Sequence, residues 1–172
     1  YHSDEEVVKD ACWALSYLIS GPNENMTVID ALNDTGIRRL VKLLEHPNTN
    51  VQLPALRTLG YIQRKLSQRQ IIINNCALPS LLTLLSSSNE YILHEACWII
   101  SNIAEGTMEQ IQAVIDSGII SKLIQMLRDG HLLQHPSCEA FSRSIRRQVV
   151  LVFANAVNHG SKKQIKYFLN QG

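Results

Sequence analysis

DACWALSYLISG at residues 10–21 returns as EACWIISNIAEG at 95–106, and between them PALRTLGYIQRK at 54–65 keeps the same apolar spacing. A looser fourth copy is QVVLVFANAVNHG at 148–160. With Trp13, Arg57, Trp98 and Leu151 taken as equivalent, the copies stand 44, 41 and 53 residues apart. A period of roughly 40–47 residues is the mark of stacked helical repeats, and the first two intervals fall inside it. Self-similarity, more than composition, decides this fold.

A second element recurs between those copies. VIDALNDTGIRRLVKLLEHPN (28–48), IINNCALPSLLTLLSSSN (72–89) and AVIDSGIISKLIQMLRDG (113–130) each hold an apolar stretch, a turn-forming break and a Leu-rich helix. Each unit therefore reads as a short first helix, a middle helix and a long third helix, with Gly36, Pro79 and Gly118 at the first break. Gly21-Pro22 and Gly106 close third helices. No segment sustains strict alternation, so no sheet is expected. The pattern predicts an all-α, right-handed superhelical solenoid of three-helix repeats, an armadillo or HEAT array in which each repeat buries its apolar face on its neighbours. The boundaries follow: 1–22 is the third helix of a truncated repeat, 23–66 and 67–106 are repeats, 107–160 is a repeat carrying an insertion at about 129–147, and 161–172 starts another. The insertion, DGHLLQHPSCEAFSRSIRR, is expected as a loop between a middle and a third helix. The N-terminus starts in mid-pattern, as a piece of a longer array would.

The totals narrow the function classes. The 172 residues carry a formal net charge of +1, too little to argue for a nucleic acid or a membrane surface. No run approaches the roughly 20 apolar residues of a spanning helix. The four cysteines, Cys12, Cys76, Cys97 and Cys138, make no CxxC pair, and Cys12 and Cys97 sit among apolar helix residues as small hydrophobes. His131, His135 and Cys138 offer three ligand types in H-x3-H-x2-C, but no fourth is near, so the segment reads as a polar loop with no metal. The basic run Ser142-Arg143-Ser144-Ile145-Arg146-Arg147 reads as a solvated helix start. No nucleophile–base pair, carboxylate pair or phosphate loop stands out, and neither enzyme nor cofactor chemistry is expected.

The aromatics carry the functional signal. On a wheel of about 100° per residue, Val8, Ala11, Cys12, Leu15, Leu18 and Ile19 form one stripe, and Glu6, Asp10, Trp13 and Tyr17 lie opposite. The same register in the third unit buries Leu93, Ala96, Cys97, Ile100 and Ile103 and turns Tyr91, Glu95, Trp98 and Asn102 outward. Outward tryptophans in register with polar residues four positions on are better explained by a ligand than by a core. Third helices line the concave side of a solenoid, so these side chains predict a ladder. Asn102 and Asn155 could hold the N–H and C=O of an extended peptide without reading its sequence. Indole faces favour cationic heads, and carboxylates such as Glu95, Asp10 and Glu6 would select Lys or Arg. The expected ligand is an extended, basic peptide.

DACWALSYL, ALRTLGYI, EACWIISNI and SKKQIKYF, with GPNENMTVID and MEQIQAVIDSG, resemble successive armadillo motifs of importin-α, the adaptor that carries nuclear localisation signals. The likeness covers the chain outside 129–147. It implies a nuclear import adaptor shuttling between cytoplasm and nucleus, with no catalysis. It also implies binding of nuclear localisation signal peptides at the minor of two sites, and handover to importin-β through a segment this chain lacks. Residue by residue, Trp13, Tyr17 and Asp10 match the repeat bridging the two sites. Arg57 matches the arginine that replaces Trp in one repeat. Glu95, Trp98, Ser101 and Asn102 match the next repeat, and Asn155 the asparagine after that. Tyr61 stands where the family has Asn, Leu151 where it has the second minor-site Trp, and Gln148 where it has an acid. Each lost aromatic contact weakens basic-peptide binding by about 1–3 kcal/mol. These departures keep a second reading open, an armadillo scaffold that binds another protein through a modified groove. Uncapped repeat ends leave self-association open as well.

Overall fold

The computed structural model describes residues 4–20, 26–63, 66–128 and 139–171, and every regular element among them is an α-helix. In chain order these are α1 (Glu5–Ser20), α2 (Met26–Ala31), α3 (Asp34–Leu43), α4 (Thr49–Ile62), α5 (Leu66–Asn74), α6 (Ala77–Leu84), α7 (Glu90–Ala104), α8 (Met108–Asp116), α9 (Ile119–Arg128), α10 (Glu139–His159) and α11 (Lys162–Asn170). Two compact units result, Tyr1–Ser80 and Leu81–Gly172. In the first, α1 packs along α4, and α3 and α5 close on the same helix; in the second, α7 packs along α10, with α8 on α7 and α11 on α10.

The helix starts are written into the chain. Asn48 and Asn89 sit in extended backbone just ahead of α4 and α7, where the Asn48 side chain accepts from the Asn50 N–H and that of Asn89 from Tyr91 and Ile92. Thr107 and Ser161 form reciprocal capping boxes with Gln110 and Gln164. Each such cap satisfies N–H groups that a helix start leaves without partners, at about 1 kcal/mol apiece.

The breaks fall slightly earlier than the glycine and proline pattern suggests. They lie at Leu32-Asn33, Asn75-Cys76 and Ser117-Gly118, which places Gly36 and Pro79 in the first turns of α3 and α6. Proline is tolerated there because a first-turn N–H has no intrahelical acceptor. Gly118 takes a left-handed φ of 79°, and Cys76 holds the same turn at φ 61°. A side chain costs about 1–2 kcal/mol in that region, so Cys76 is a strained stand-in for the glycine of the next repeat. Gly106 follows the end of α7 as expected, its N–H on the Ile103 carbonyl. Within the loop expected at 129–147, residues 139–147 are helical, because α10 begins at Glu139. Gly21-Pro22, and 129–138 with His131, His135 and Cys138, lie outside the described residues.

Burial follows the wheel closely in unit 2. Leu93, Ala96, Cys97, Ile100 and Ile103 are all buried. In unit 1 the stripe is half right: Cys12 and Ile19 are buried, but Ala11 is exposed and Leu18 is 53% exposed. α1 packs chiefly on α4, so one flank of its apolar stripe, Val8, Ala11 and Leu15, faces an open apolar depression shared with Leu32, Leu40 and Leu43.

Thiol chemistry tests this burial directly. Burial pushes the Cys97 thiol up to about 12 and also raises that of Cys12, against the nearby Arg39 charge, whereas Cys76 is exposed. The thiolate is the nucleophile, so at pH 8 iodoacetamide followed by peptide mass mapping should label Cys76 at least tenfold faster than Cys97. Equal labelling in the native state would contradict the buried stripe.

Candidate functional site

The outward residues of unit 1 meet in one cluster. Trp13 and Tyr17, four apart on α1, stack with ring centroids 5.7 Å apart and planes 24° from parallel. Arg57 on α4 brings its guanidinium carbon 6.0 Å from the Trp13 centroid and 5.9 Å from that of Tyr61, one turn along its own helix. Both are within cation–π range. Trp13, Arg57 and Tyr61 are half-buried, Tyr17 is 67% exposed, and Asp10 is exposed one turn before Trp13. Beneath them the buried Thr58 hydroxyl lies 3.0 Å from the Cys12 carbonyl oxygen and 2.7 Å from that of Pro54. It ties α4 to α1.

Unit 2 is built differently. Trp98 and Asn102 are half-buried on α7, as the wheel requires of an outward flank. Asn155 on α10 donates through Nδ2 to the Ser101 carbonyl at 2.9 Å. Ser101 Oγ lies 2.8 Å from the Trp98 carbonyl oxygen and 3.1 Å from Gln148 Oε1. One hydroxyl proton cannot serve both acceptors at full strength. Turning the Gln148 amide over lets its nitrogen donate to Ser101 Oγ instead, and the hydroxyl then serves Trp98.

Two sequence expectations change here. Ser101 is only 2% exposed, so it holds the site from inside and presents no hydroxyl to a ligand. Glu95 is 8% exposed, with His94 Nδ1 4.0 Å from its Oε1, and it is not an outward carboxylate. α10 packs on α7 with Gln148 and Asn155 against Ser101, which encloses that residue from beyond the apolar stripe. Gln148 and Thr58 are the residues that sequence reasoning underused. Both are polar residues at packed helix positions, which was the available signal. Among the described residues no three His, Cys, Asp or Glu side chains group to hold a metal, and no helix is long and apolar enough to cross a membrane.

Comparison with known proteins agrees on the repeat. The Armadillo/beta-catenin-like repeat family matches residues 28–62 and 67–105. Importin subunit alpha-1a of Oryza sativa subsp. japonica is 50% identical over 127 residues, 72% of this chain and 24% of that protein. Importin subunit alpha-4 of Arabidopsis thaliana is 43% identical over 175 aligned positions, 100% of this chain and 30% of that protein. The chain thus spans 24% and 30% of the length of these two relatives. A designed armadillo repeat protein solved in complex with the peptide (KR)4 is 31% identical, with a TM-score of 0.82 over 99% of this chain and 66% of that one. The repeat period, the all-helical elements and these relatives agree: the chain is an importin-α-like armadillo-repeat protein.

Proposed function

We propose that this chain is part of a nuclear import adaptor and binds extended basic peptides of the nuclear localisation type, with unit 2 as its working surface. The observation that carries the reading is the pairing of Trp98 with Asn102 on α7, beside an Asn155 whose amide is anchored on the Ser101 carbonyl. An indole takes the cationic head, and amides take the peptide backbone. The importin-α relatives and the (KR)4 complex of a designed neighbour support the same ligand class. Handover to importin-β and shuttling between cytoplasm and nucleus belong to this proposal. Leu151 in place of a second indole makes the surface weaker than a paired-tryptophan slot.

Titration with mono- and bipartite basic peptides, followed by fluorescence anisotropy, tests it. Binding should weaken with added salt, because exposed charge pairs are screened. Trp98→Ala and Asn102→Ala should each weaken binding by about 1–2 kcal/mol, or about 5- to 30-fold. Absence of salt-sensitive binding at high peptide concentration would instead favour a scaffold for another protein, with Tyr61 and Leu151 reshaping the surface.

A further inference from the structure

We propose that copies of this chain associate head to tail: the exposed face of α1 in one copy docks on the exposed face of α10 in another, repeating the packing of α1 on α4. The contact is independent of peptide binding. Counted from the rung residue (Trp13, Arg57, Trp98 or Leu151), each long helix carries two stripes of apolar and small residues. The first stands six and two positions before the rung and one and five after it. In α4 it is Val51, Ala55, Thr58 and Ile62, all buried. In α7 and in α10 every residue of this stripe is buried too, in α10 as Ile145, Val149, Val152 and Ala156. The same stripe of α1, Val7, Ala11, Ala14 and Leu18, is exposed throughout, Val7 by 64%. The second stripe stands one position before the rung and three and six after it. It is buried in α1 as Cys12, Ser16 and Ile19, and in α7 as Cys97, Ser101 and Ala104. In α10 it is Val150, Ala154 and Val157, and there Val150 is 58% exposed and Val157 41%.

Within each unit the two stripes are partners. Thr58, in the first stripe of α4, places its hydroxyl 3.0 Å from the carbonyl oxygen of Cys12, in the second stripe of α1. Asn48, at the start of α4, donates to Glu5 at the start of α1, so the two helices run parallel. In unit 2, Gln148 and Asn155 of α10 reach Ser101, in the second stripe of α7. The chain therefore carries one uncovered stripe of each kind, and the two match. A second copy's α1, laid parallel to α10, brings Val7, Ala11, Ala14 and Leu18 onto Val150, Ala154 and Val157 in the register of the contact between α1 and α4. Burying a second copy's apolar face in this way is how stacked repeats gain stability from their neighbours. Charge favours the same occupant and the same direction. The first half of α1 keeps Glu6 and Asp10 exposed although both share Lys9, and the first half of α10 carries Arg146 and Arg147. Parallel docking sets acid beside base, whereas antiparallel docking carries the acids away from the arginines. The contact is heterologous, so each added copy leaves one face of each kind open.

Sedimentation velocity of the full chain tests it. Over about a hundredfold range of concentration the mean mass should climb from 19.4 kDa to beyond that of a dimer. Ala14→Arg blocks the face of α1 and Val150→Arg the face of α10; both residues are exposed, so each variant should melt like the parent. Each variant alone should stay monomeric, because its remaining open face meets only faces of its own kind. Mixed in equal amounts, the two should form a heterodimer that grows no further, since each supplies the face the other lacks. A parent that holds the monomer mass at every concentration would overturn the proposal and leave both faces to a different protein. A mixture that stays monomeric would overturn it as well. So would either variant associating as the parent does, which would mean a symmetric contact through the other face. Ala11→Arg and Val157→Arg repeat the test on the same two faces should a first variant fail to fold.

Discussion

Ile100→Ala should destabilise unit 2 by about 2–5 kcal/mol, the cost of deleting a fully buried branched side chain from a packed helix interface. Ile100 lies in the middle of α7, between the rung residues Trp98 and Asn102, and α7 is the helix that α10 packs along. Little nearby can collapse into the space, because Ala96, Ile99, Ile103 and Ala104 around it are already fully or almost fully buried. Urea unfolding followed by Trp98 emission in a Trp13→Phe background gives the number. A midpoint within error of the parent would mean that the inner face of α7 does not carry the stability assigned to it. Conservative Ile100→Val should incur only a fraction of that loss, at about 0.5–1.5 kcal/mol.

Gly160→Ala is the second large effect, and it comes from backbone crowding. A Cβ at residue 160 would lie 2.4 Å from the Ala156 carbonyl oxygen. That oxygen is the acceptor of the Gly160 N–H at 2.9 Å, so it cannot move aside without breaking the last bond of α10. The next residue, Ser161, caps α11 and is paired with Gln164, whose Nε2 donates to the Met108 carbonyl at 2.8 Å. Relief of the clash would therefore displace the cap and the buried glutamine contact together. A loss of about 2 kcal/mol or more is expected, read by the same unfolding titration and by faster hydrogen exchange at α11. Alanine tolerated at parental stability would show that the α10–α11 turn is looser than its contacts imply.

The repeat was legible because equivalent helices must bury equivalent faces, and small residues recur where helices touch. Ala96, Cys97 and Ile100 show this best, since α7 is packed as an interior helix and its stripe alone forecasts its burial. The same reasoning fails at Leu18 and Ala11, because a wheel reports which face is apolar and not whether anything covers it. Glu95 and Ser101 fail in the opposite direction. Both positions look outward relative to Trp98, but Ser101 is enclosed by Gln148 and Asn155 of α10, contacts that single-helix periodicity does not encode. Arg57 was legible as a substitution in the ladder. Its approach to the Trp13 ring required a distance across two helices, which no single-helix pattern contains. The helical character of 142–147 was legible in the basic run, but the loop expected over 129–147 overran the start of α10 at Glu139.

The Asn155 amide on the Ser101 carbonyl has a mechanical meaning. Apolar helix faces can slide past one another by a turn, about 5.4 Å, with modest change in buried area. A directional bond from a side chain of one helix to a backbone oxygen of the next tolerates no such slip. Unit 2 thus has a detent that fixes the register of α10 on α7. On the proposed peptide-binding reading, unit 2 would behave as a vernier, matching peptides by the spacing of their residues, so that inserting a single residue between two basic positions should matter more than exchanging Lys for Arg at either.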